Sequence, residues 1–463
     1  MGRKAAFHSL GCKVNSYETD AMRKALLDAG WEEAPFAPGA DVYVINTCTV
    51  TNIADRKSRQ MLHKAKEMNP AAIVAACGCY VEDAAGRLEA DPAVDLLIGN
   101  AEKGKLPQIL ESCLKERDSE RMKSRVLPRI SSVRTYEELG AVSSGEHTRA
   151  FLKIQDGCNQ FCSYCMIPYV RGRVRSRRPE DVLREVRALV AEGYREFVLT
   201  GIHISSYGLD FDYPGMNRQT PDAAEALTNY RLLELIRAIA AEEGVSRIRL
   251  GSLEPGIVTE DFIEGLCGEE KVCPSFHLSM QSGCDETLLR MRRKYRTKDF
   301  ADKCRIIRKF YRDPAIMTDI IAGFPGETEE EFLKTLAFVR EIHFSRAHIF
   351  KYSVRKGTLA AGMDGQVPEK LKKERADMLA ETDRAERMAY AERFVGQEVL
   401  ALFEEAFLRG GERILKGYTR EYIPVELASR EVPLGREVRV RVKEILPGGI
   451  ASVQKVELRE RSG

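Results

Sequence analysis

Residues Asp156–Arg178 read DGCNQFCSYCMIPYVRGRVRSRR, and the fold is best approached from them. Cys158, Cys162 and Cys165 stand in CxxxCxxC spacing. Thiolates are soft ligands that hold iron–sulfur clusters, and this spacing lets one loop wrap three of them around one cluster. A four-iron cluster held by three thiolates keeps one iron open, as a small chelating molecule such as S-adenosylmethionine requires. Zinc competes for the same residues, but the flanking Asn159, Gln160 and Ser163 supply no fourth His or Cys. Chance clustering of structural thiols is a third reading in a chain with 12 cysteines. Tyr164 before the last cysteine and the arginines beyond it weigh toward the cluster.

At 463 residues the chain is too long for one ordinary domain, so two to four are expected. Its 44% hydrophobic and 31% charged residues are those of a soluble globular protein. A net charge of +2 and a pI near 7.9 do not mark a nucleic-acid binder, so any basic surface is local. The opening MGRKAAFHSLGCK lacks a signal-peptide core and no stretch is of membrane length. The expectation is a cytoplasmic protein with no membrane contact, in which clustered cysteines serve metal or catalysis rather than disulfides.

The N-terminal third alternates strand and helix. Strands are expected at residues 3–10, 41–46 and 71–76, each ending at a cysteine: Cys12, Cys48, and the pair Cys77 and Cys79. In a parallel α/β sheet such ends line one edge, where ligands bind. Buried structural thiols are the plain alternative for each; their repeated placement favours a second cluster site. Residues 111–148 mix charge, Ser and Arg without period and read as a connection.

From Arg149 six strand–helix units follow, with strands at Ala150–Ile154, Glu196–Thr200, Arg247–Leu250, Ser275–Ser279, Ile316–Ile321 and His348–Tyr352. Six units suit a partial barrel, whose site lies at the C-terminal strand ends. Beside Tyr164, those ends carry Thr200, Gly201, His203, Ser252, Glu254, Gln281 and Asp319. Each has a plain reading as a turn or solvated residue; as a set they suit the amino, carboxylate and ribose groups of S-adenosylmethionine. Residues 323–328, GFPGET, either help hold the nucleoside or join strand to helix, and 207–229 read as an insertion. Arg171, Arg173, Arg175, Arg177 and Arg178 follow the cysteine loop. Such a run is usually a solvated face, but beside the proposed site it is better explained as contacting the phosphates of a polyanion, as an RNA-binding set would. A second run, Arg290 to Lys298, is read evenly as a solvated face or a binding surface. After a charged helix over 367–394, five short strands within 399–456 suggest a small closed barrel of the OB type.

The stretch GCNQFCSYCMIPYVRGRVRSR resembles the methylthiotransferase branch of the radical S-adenosylmethionine enzymes. GCKVNSYE around Cys12, NTCTVT around Cys48 and GCY around Cys79 resemble the motifs of that branch's auxiliary-cluster domain, with Cys77 outside the pattern. The C-terminal region is similar to the TRAM domain of RNA-modifying enzymes. The resemblance implies an α/β protein: a Rossmann/flavodoxin-like N-terminal domain (1–115), a linker (116–148), a partial (β/α)6 TIM-like radical SAM core (149–390) and an OB-like all-β TRAM domain (391–460).

Within the branch, HTRAFLKIQDGC and TGIHISSYG look most like enzymes that methylthiolate carbon 2 of N6-threonylcarbamoyladenosine at tRNA position 37. That carbon carries an unactivated hydrogen, beyond acid–base chemistry, so a cofactor-derived radical is required. By this resemblance two [4Fe-4S] clusters are implied. Cys158, Cys162 and Cys165 hold the one that cleaves S-adenosylmethionine. Cys12, Cys48 and Cys79 hold the auxiliary one that carries the sulfur. The implied partners are a tRNA anticodon loop, an electron-donor protein such as flavodoxin or ferredoxin, and a sulfur donor. Related branches act on N6-isopentenyladenosine of tRNA or on an aspartate of a ribosomal protein, and a non-catalytic iron–sulfur RNA-binding protein is the third alternative.

Overall fold

The computed structural model describes residues 2–116, 124–140, 148–211 and 230–456. The chain opens with a parallel sheet of β1 (Lys4–Ser9), β2 (Glu32–Glu33), β3 (Val42–Thr47), β4 (Ile73–Gly78), β5 (Leu96–Ile98) and β6 (Ser124–Val126), in the order 2-1-3-4-5-6. Every residue of β3 and β4 is buried, as befits strands covered on both faces by helices. This is the doubly wound, flavodoxin-like order, and its switch point lies between β1 and β3. The expected connection over 116–148 is more than a linker: Ser124–Val126 pairs in parallel with Leu96–Ile98 and completes the sheet.

The middle of the chain forms an open barrel. β7 (Arg149–Asp156), β9 (Glu196–Gly201) and β10 (Arg247–Leu250) are parallel, with the short β8 (Arg175–Ser176) antiparallel to β7. β11 (Ser275–Gln281), β12 (Ala315–Ala322) and β13 (Arg346–Lys351) continue it, joined to β10 by single bridges at Ile248–Val272 and Leu253–Leu278. Six parallel strands are what the sequence pattern predicts. Alternate residues of each strand, such as Leu152, Leu199, Leu278 and Ile320, pack under the helices in one continuous core. The residues between them face the concave side. Gly323–Thr328 joins β12 to the helix Glu329–Ile342, which Thr328 and Glu331 close with a capping box.

β14 (Glu398–Arg409), β15 (Glu412–Thr419), β16 (Pro424–Ala428), β17 (Glu437–Leu446) and β18 (Ile450–Lys455) close into a barrel in the order 14-15-16-18-17, leaving no free edge. It docks at the N-terminal ends of the middle strands. Arg247 binds Glu437 at 2.6 Å and the Leu400 carbonyl at 2.9 Å, Arg249 binds the Thr419 carbonyl at 2.8 Å, and Arg149 binds Glu404 at 2.6 Å. Glu196 stands among these three arginines. The opposite, C-terminal strand ends are left to the first domain. Among the described residues no helix is long and apolar enough to cross a membrane.

Candidate functional site

Three strand ends deliver the N-terminal thiols. Cys12 caps the helix Lys13–Asp28, Cys48 follows β3 just before the helix Asn52–Met68, and Cys79 opens the helix Cys79–Glu89 straight after β4. Helix N-termini present unpaired N–H groups and a positive dipole end, which favour an anionic group. Gly11 sits at φ +99°, and a Cβ there would stand 2.8 Å from Cys48 Sγ, so only glycine lets the first turn approach the second. Burial pushes the Cys48 thiol up to about 12 and raises Cys79, so both sulfurs need positive charge beside them to ionise. Cys77 faces away: its Sγ lies 3.6 Å from the Ile45 carbonyl, in the core with Met22 and Leu96.

The triplet loop is pinned at both ends. Gly157, at φ +73°, brings the loop against the Arg173 carbonyl, and the Cys158 amide donates to the Gly172 carbonyl at 3.0 Å. Phe161, between the first two cysteines, is held in the left-handed region at φ +50°, a conformation a bulky residue keeps only where its surroundings impose it. Ser163 donates its hydroxyl to the Arg290 carbonyl at 2.7 Å and its amide to the Met291 carbonyl at 3.1 Å. Tyr164 packs edge-on against Phe324, with ring centroids 6.2 Å apart. Burial pushes Cys158 and Cys165 up to about 12.

A guanidinium reaches one sulfur of each set. Arg293 donates to Cys162 Sγ at 3.3 Å and to Glu254 at 2.7 Å. Arg171 donates to Cys79 Sγ at 3.3 Å, to Glu18 at 2.7 Å, to Asp156 at 3.2 Å and to Asn15 at 2.7 Å. Lys153 binds Glu18 at 2.6 Å and Asp156 at 2.7 Å, and Lys103 also binds Glu18. Burial alone would raise the Glu18 carboxyl, but Arg171, Lys103 and Lys153 hold it well below its ordinary value. With Arg175 3.6 Å from Asp156, four cations meet two carboxylates, and Arg171 directs positive charge at the Cys79 sulfur.

This network corrects the expectation for three of the arginines. Arg171, Arg175 and Arg177 are buried at 0–2% exposure. Arg175 donates to the Arg171 and Arg173 carbonyls, and Arg177 pairs with Glu138 and Glu185, so none of the three faces a phosphate. Arg173 and Arg178 are exposed, lying over the rings of Phe161 and Phe211. In the second run Arg292, Lys294, Arg296 and Lys298 are exposed, whereas Arg290 pairs with Glu331 and Arg293 turns inward.

The expected rim residues fall into two groups. Thr200 and Gly201 end β9, and His203 donates its amide to Gln155 Oε1 at 2.7 Å. His203 Nδ1 meets Ser206 Oγ at 2.7 Å, while its Nε2 is buried without a hydrogen-bond partner, 3.8 Å from Glu254. Burial would raise Glu254, yet Arg293 and His203 hold it below its ordinary value. The second group meets through His277, which no motif singles out: its Nδ1 meets Ser252 Oγ at 2.7 Å and its Nε2 lies 3.3 Å from Asp319. The His348 ring stands 5.9 Å from that of His277 on the concave face. Gln281 ends β11 at φ +69°. Arg293, His277 and His348 are the residues sequence reading missed; alternation along β11 and β13 is the signal that could have found the histidines.

The donor sets fit iron–sulfur clusters better than a bare ion. Among the described residues no three His, Cys, Asp or Glu side chains converge as the ligands of a single metal ion do. Each set is all thiol, and in each one sulfur faces a guanidinium N–H, the outer contact that suits a thiolate of an anionic cluster. The first domain also reaches the far side of the barrel: Arg355, beyond β13, donates to Asp55 at 2.7 Å, Thr49 at 2.6 Å and Asp83 at 3.1 Å. The thiol-bearing edge is therefore held against the open barrel at both of its outer strands.

Residues 152–339 match the radical SAM superfamily, and residues 4–99 match a family described as the uncharacterized protein family UPF0004. The threonylcarbamoyladenosine tRNA methylthiotransferase MtaB of Bacillus subtilis is 39% identical, over 94% of this chain and 93% of its own. Its namesake from Aquifex aeolicus is 37% identical over 95% and 100%. The tRNA-2-methylthio-N(6)-dimethylallyladenosine synthase of Acetivibrio thermocellus is 32% identical over 96% and 90%. Among solved structures, the radical S-adenosylmethionine methyltransferase TsrM of Kitasatospora setae shares the fold, with a TM-score of 0.57 at 17% identity over 78% of this chain and 77% of that one. Family members use a [4Fe-4S] cluster and S-adenosylmethionine. With relatives matched almost end to end and the cysteine loop set at the barrel rim, this chain belongs to the radical S-adenosylmethionine methylthiotransferase family.

Proposed function

We propose that this protein methylthiolates carbon 2 of N6-threonylcarbamoyladenosine at position 37 of tRNA, giving the 2-methylthio derivative. The observation that carries the reading is the placement of two thiol sets at one domain boundary, Cys158, Cys162 and Cys165 on the barrel and Cys12, Cys48 and Cys79 on the first domain, with Arg171 from the stretch after the triplet donating to Cys79 across it. The end-to-end likeness to threonylcarbamoyladenosine enzymes supports the substrate.

When bound, a cluster on each thiol set and S-adenosylmethionine supply the radical, the sulfur and the methyl group that the reaction needs. The rest falls to the chain. Arg171 and Arg293 place positive charge at Cys79 and Cys162. Tyr164, Thr200, Gly201, His203 and Glu254 lie beside the triplet to orient S-adenosylmethionine, with Gln281 at the next strand end. Ser252 and Asp319, tied through His277, extend that surface onto the concave face. Arg173 and Arg178 remain available for the RNA backbone, and the C-terminal TRAM-like barrel adds nucleic-acid contacts. The target base enters unstacked from an anticodon loop, where bases are already single-stranded. An electron-donor protein such as flavodoxin or ferredoxin, and a sulfur donor, complete the turnover.

Mass spectrometry of tRNA nucleosides from cells with and without the gene tests the reading. Loss of 2-methylthio-N6-threonylcarbamoyladenosine with recovery of its precursor is expected. Retention of that nucleoside overturns it. Loss of the methylthio group from isopentenyladenosine, or from a ribosomal protein aspartate, would assign the substrate of a related branch instead.

A further inference from the structure

Among the described residues, most buried cations sit in ion pairs. Arg149, Arg247 and Arg249 share Glu196, with Glu404 and Glu437 completing the set. Lys103, Lys153 and Arg171 share Glu18 and Asp156, and Arg293 takes Glu254. Lys13, which is exposed, and Arg346, which is half-buried, differ: neither forms an ion pair or side-chain hydrogen bond with a described residue. Arg387 beside Arg346 has its Nε buried without a hydrogen-bond partner among the described residues. Lys13 and Arg346 come from different domains yet approach one place. Lys13 follows Cys12 and extends over the Phe151 ring, its Nζ 5.9 Å from the centroid, on the concave side of β7. Arg346 opens β13, in register with Met317, which is in register with His277.

Between them stands an aromatic pair from the C-terminal barrel. Tyr418 and Tyr422 stack at 4.9 Å and 20°, with Arg149 over both rings and Arg249 over Tyr422. Arg346, Met317 and Tyr422 line a common cavity of about 40 Å³. Lys13 acts electrostatically on the Tyr422 phenol, and Arg346 on Tyr418. The nearby carboxylates are engaged: Asp319 with His277, and Asp383 with the Ala347 amide at 2.5 Å. Asp383 faces both Arg346 and Arg387, so the floor of the concave face carries more cationic than anionic side chains where three domains meet, an arrangement that favours an anion.

We propose that Lys13 and Arg346 form the subsite for the carboxylate that ends the threonylcarbamoyl group of the target base, which rests on the substrate reading above. The same position would disfavour an isopentenyl group, which offers no anion to the two cations. The subsite is thus the specificity element of the barrel, separate from the thiols and from the rim. The stacked tyrosines form its aromatic wall.

The test uses the full-length reconstituted enzyme and three anticodon stem–loop RNAs. They carry threonylcarbamoyladenosine, its neutral methyl ester, or unmodified adenosine at position 37. Binding is measured by fluorescence anisotropy, and iron content and cluster spectra are recorded for every variant. Wild type is expected to bind the acid at least about ten-fold more tightly than the ester, the loss that follows from removing a charged hydrogen bond. Lys13→Gln and Arg346→Gln are expected to erase most of that preference while leaving ester binding, iron content and spectra unchanged. An acid-to-ester ratio in both variants equal to that of wild type overturns the proposal. So does an equal loss for all three RNAs, which would assign the cations to backbone phosphate. A wild type that prefers an isopentenyladenosine stem–loop over all three would sink the substrate reading itself, an outcome distinct from either.

Discussion

Arg171 donates its Nε–H to Cys79 Sγ at 3.3 Å across 92 residues of sequence, and so ties the cysteine loop of the barrel to the thiol edge of the first domain. The same guanidinium is spent on Glu18, Asp156 and Asn15, so a single side chain sets both the domain contact and the charge at the sulfur. Lysine cannot replace it, because a point ammonium lacks the planar fork that reaches four partners.

Arg171→Met is expected to lower stability by about 1.5–3 kcal/mol, the loss that follows from removing hydrogen bonds to charged groups, while Lys103, Lys153 and Arg175 still answer Glu18 and Asp156. Calorimetry of the apoprotein reads the effect without the clusters. A change in melting temperature of less than a degree would show that the network is dispensable.

The two thiol sets should separate by function. Cys162→Ala is expected to abolish 5′-deoxyadenosine formation, whereas Cys79→Ala retains it and loses methylthiolation. Cys77, buried against Met22 and Ile45, serves as the control, and Cys77→Ala keeps both activities. Product analysis by liquid chromatography with mass spectrometry decides; loss of methylthiolation in Cys77→Ala with retention in Cys79→Ala would reverse the ligand choice.

Arginines of one run should divide by their environment. Arg173→Gln and Arg178→Gln are expected to weaken RNA binding and lower the salt slope of log K by about 1 for each phosphate no longer neutralised, with the melting temperature unchanged. Arg177→Gln is expected to do the reverse, destabilising the fold through loss of the ion pairs to Glu138 and Glu185. Binding isotherms at several salt concentrations beside thermal melts provide the comparison.

The docking of the C-terminal barrel should weaken in acid. Burial would raise Glu196, but Arg249, Arg247 and Arg149 hold it below its ordinary value of 4.5. A depressed folded-state value contributes stability that is complete above the unfolded value and is lost as pH falls through the folded one. Glu404 opposes it, because burial raises its carboxyl. Glu196→Gln is therefore expected to destabilise the protein near neutrality, with its deficit against wild type shrinking progressively below pH 4.5. A deficit independent of pH between 3 and 7, measured by urea titration, would assign Glu196 a packing role only.

Much of this was legible in the sequence. Periodicity placed the six barrel strands and the five of the C-terminal barrel, because alternating burial imprints a period of two. Cys12, Cys48 and Cys79 were readable because each follows a strand that runs to its end without interruption. The buried arginines were not readable: their partners Glu18, Glu138 and Glu185 lie far off in sequence or on another element, and only the fold pairs them. Arg293 hid among exposed neighbours for the same reason, since a basic run does not reveal which members turn inward. β6 escaped because three residues in a charged, aperiodic stretch carry no pattern of their own.

The grip of Arg355 on Asp55 and Asp83, opposite that of Arg171 on Glu18, has a consequence for how such a chain can be taken apart. Severed from its N-terminal partner, the central unit would present Arg355 stripped of Asp55 and Asp83 at one lip of its seam and Arg171 left with Asp156 alone at the other. The two units therefore cannot be exchanged independently between relatives: a transplant that matched one lip and missed the other would leave the sulfur-bearing edge hinged rather than seated.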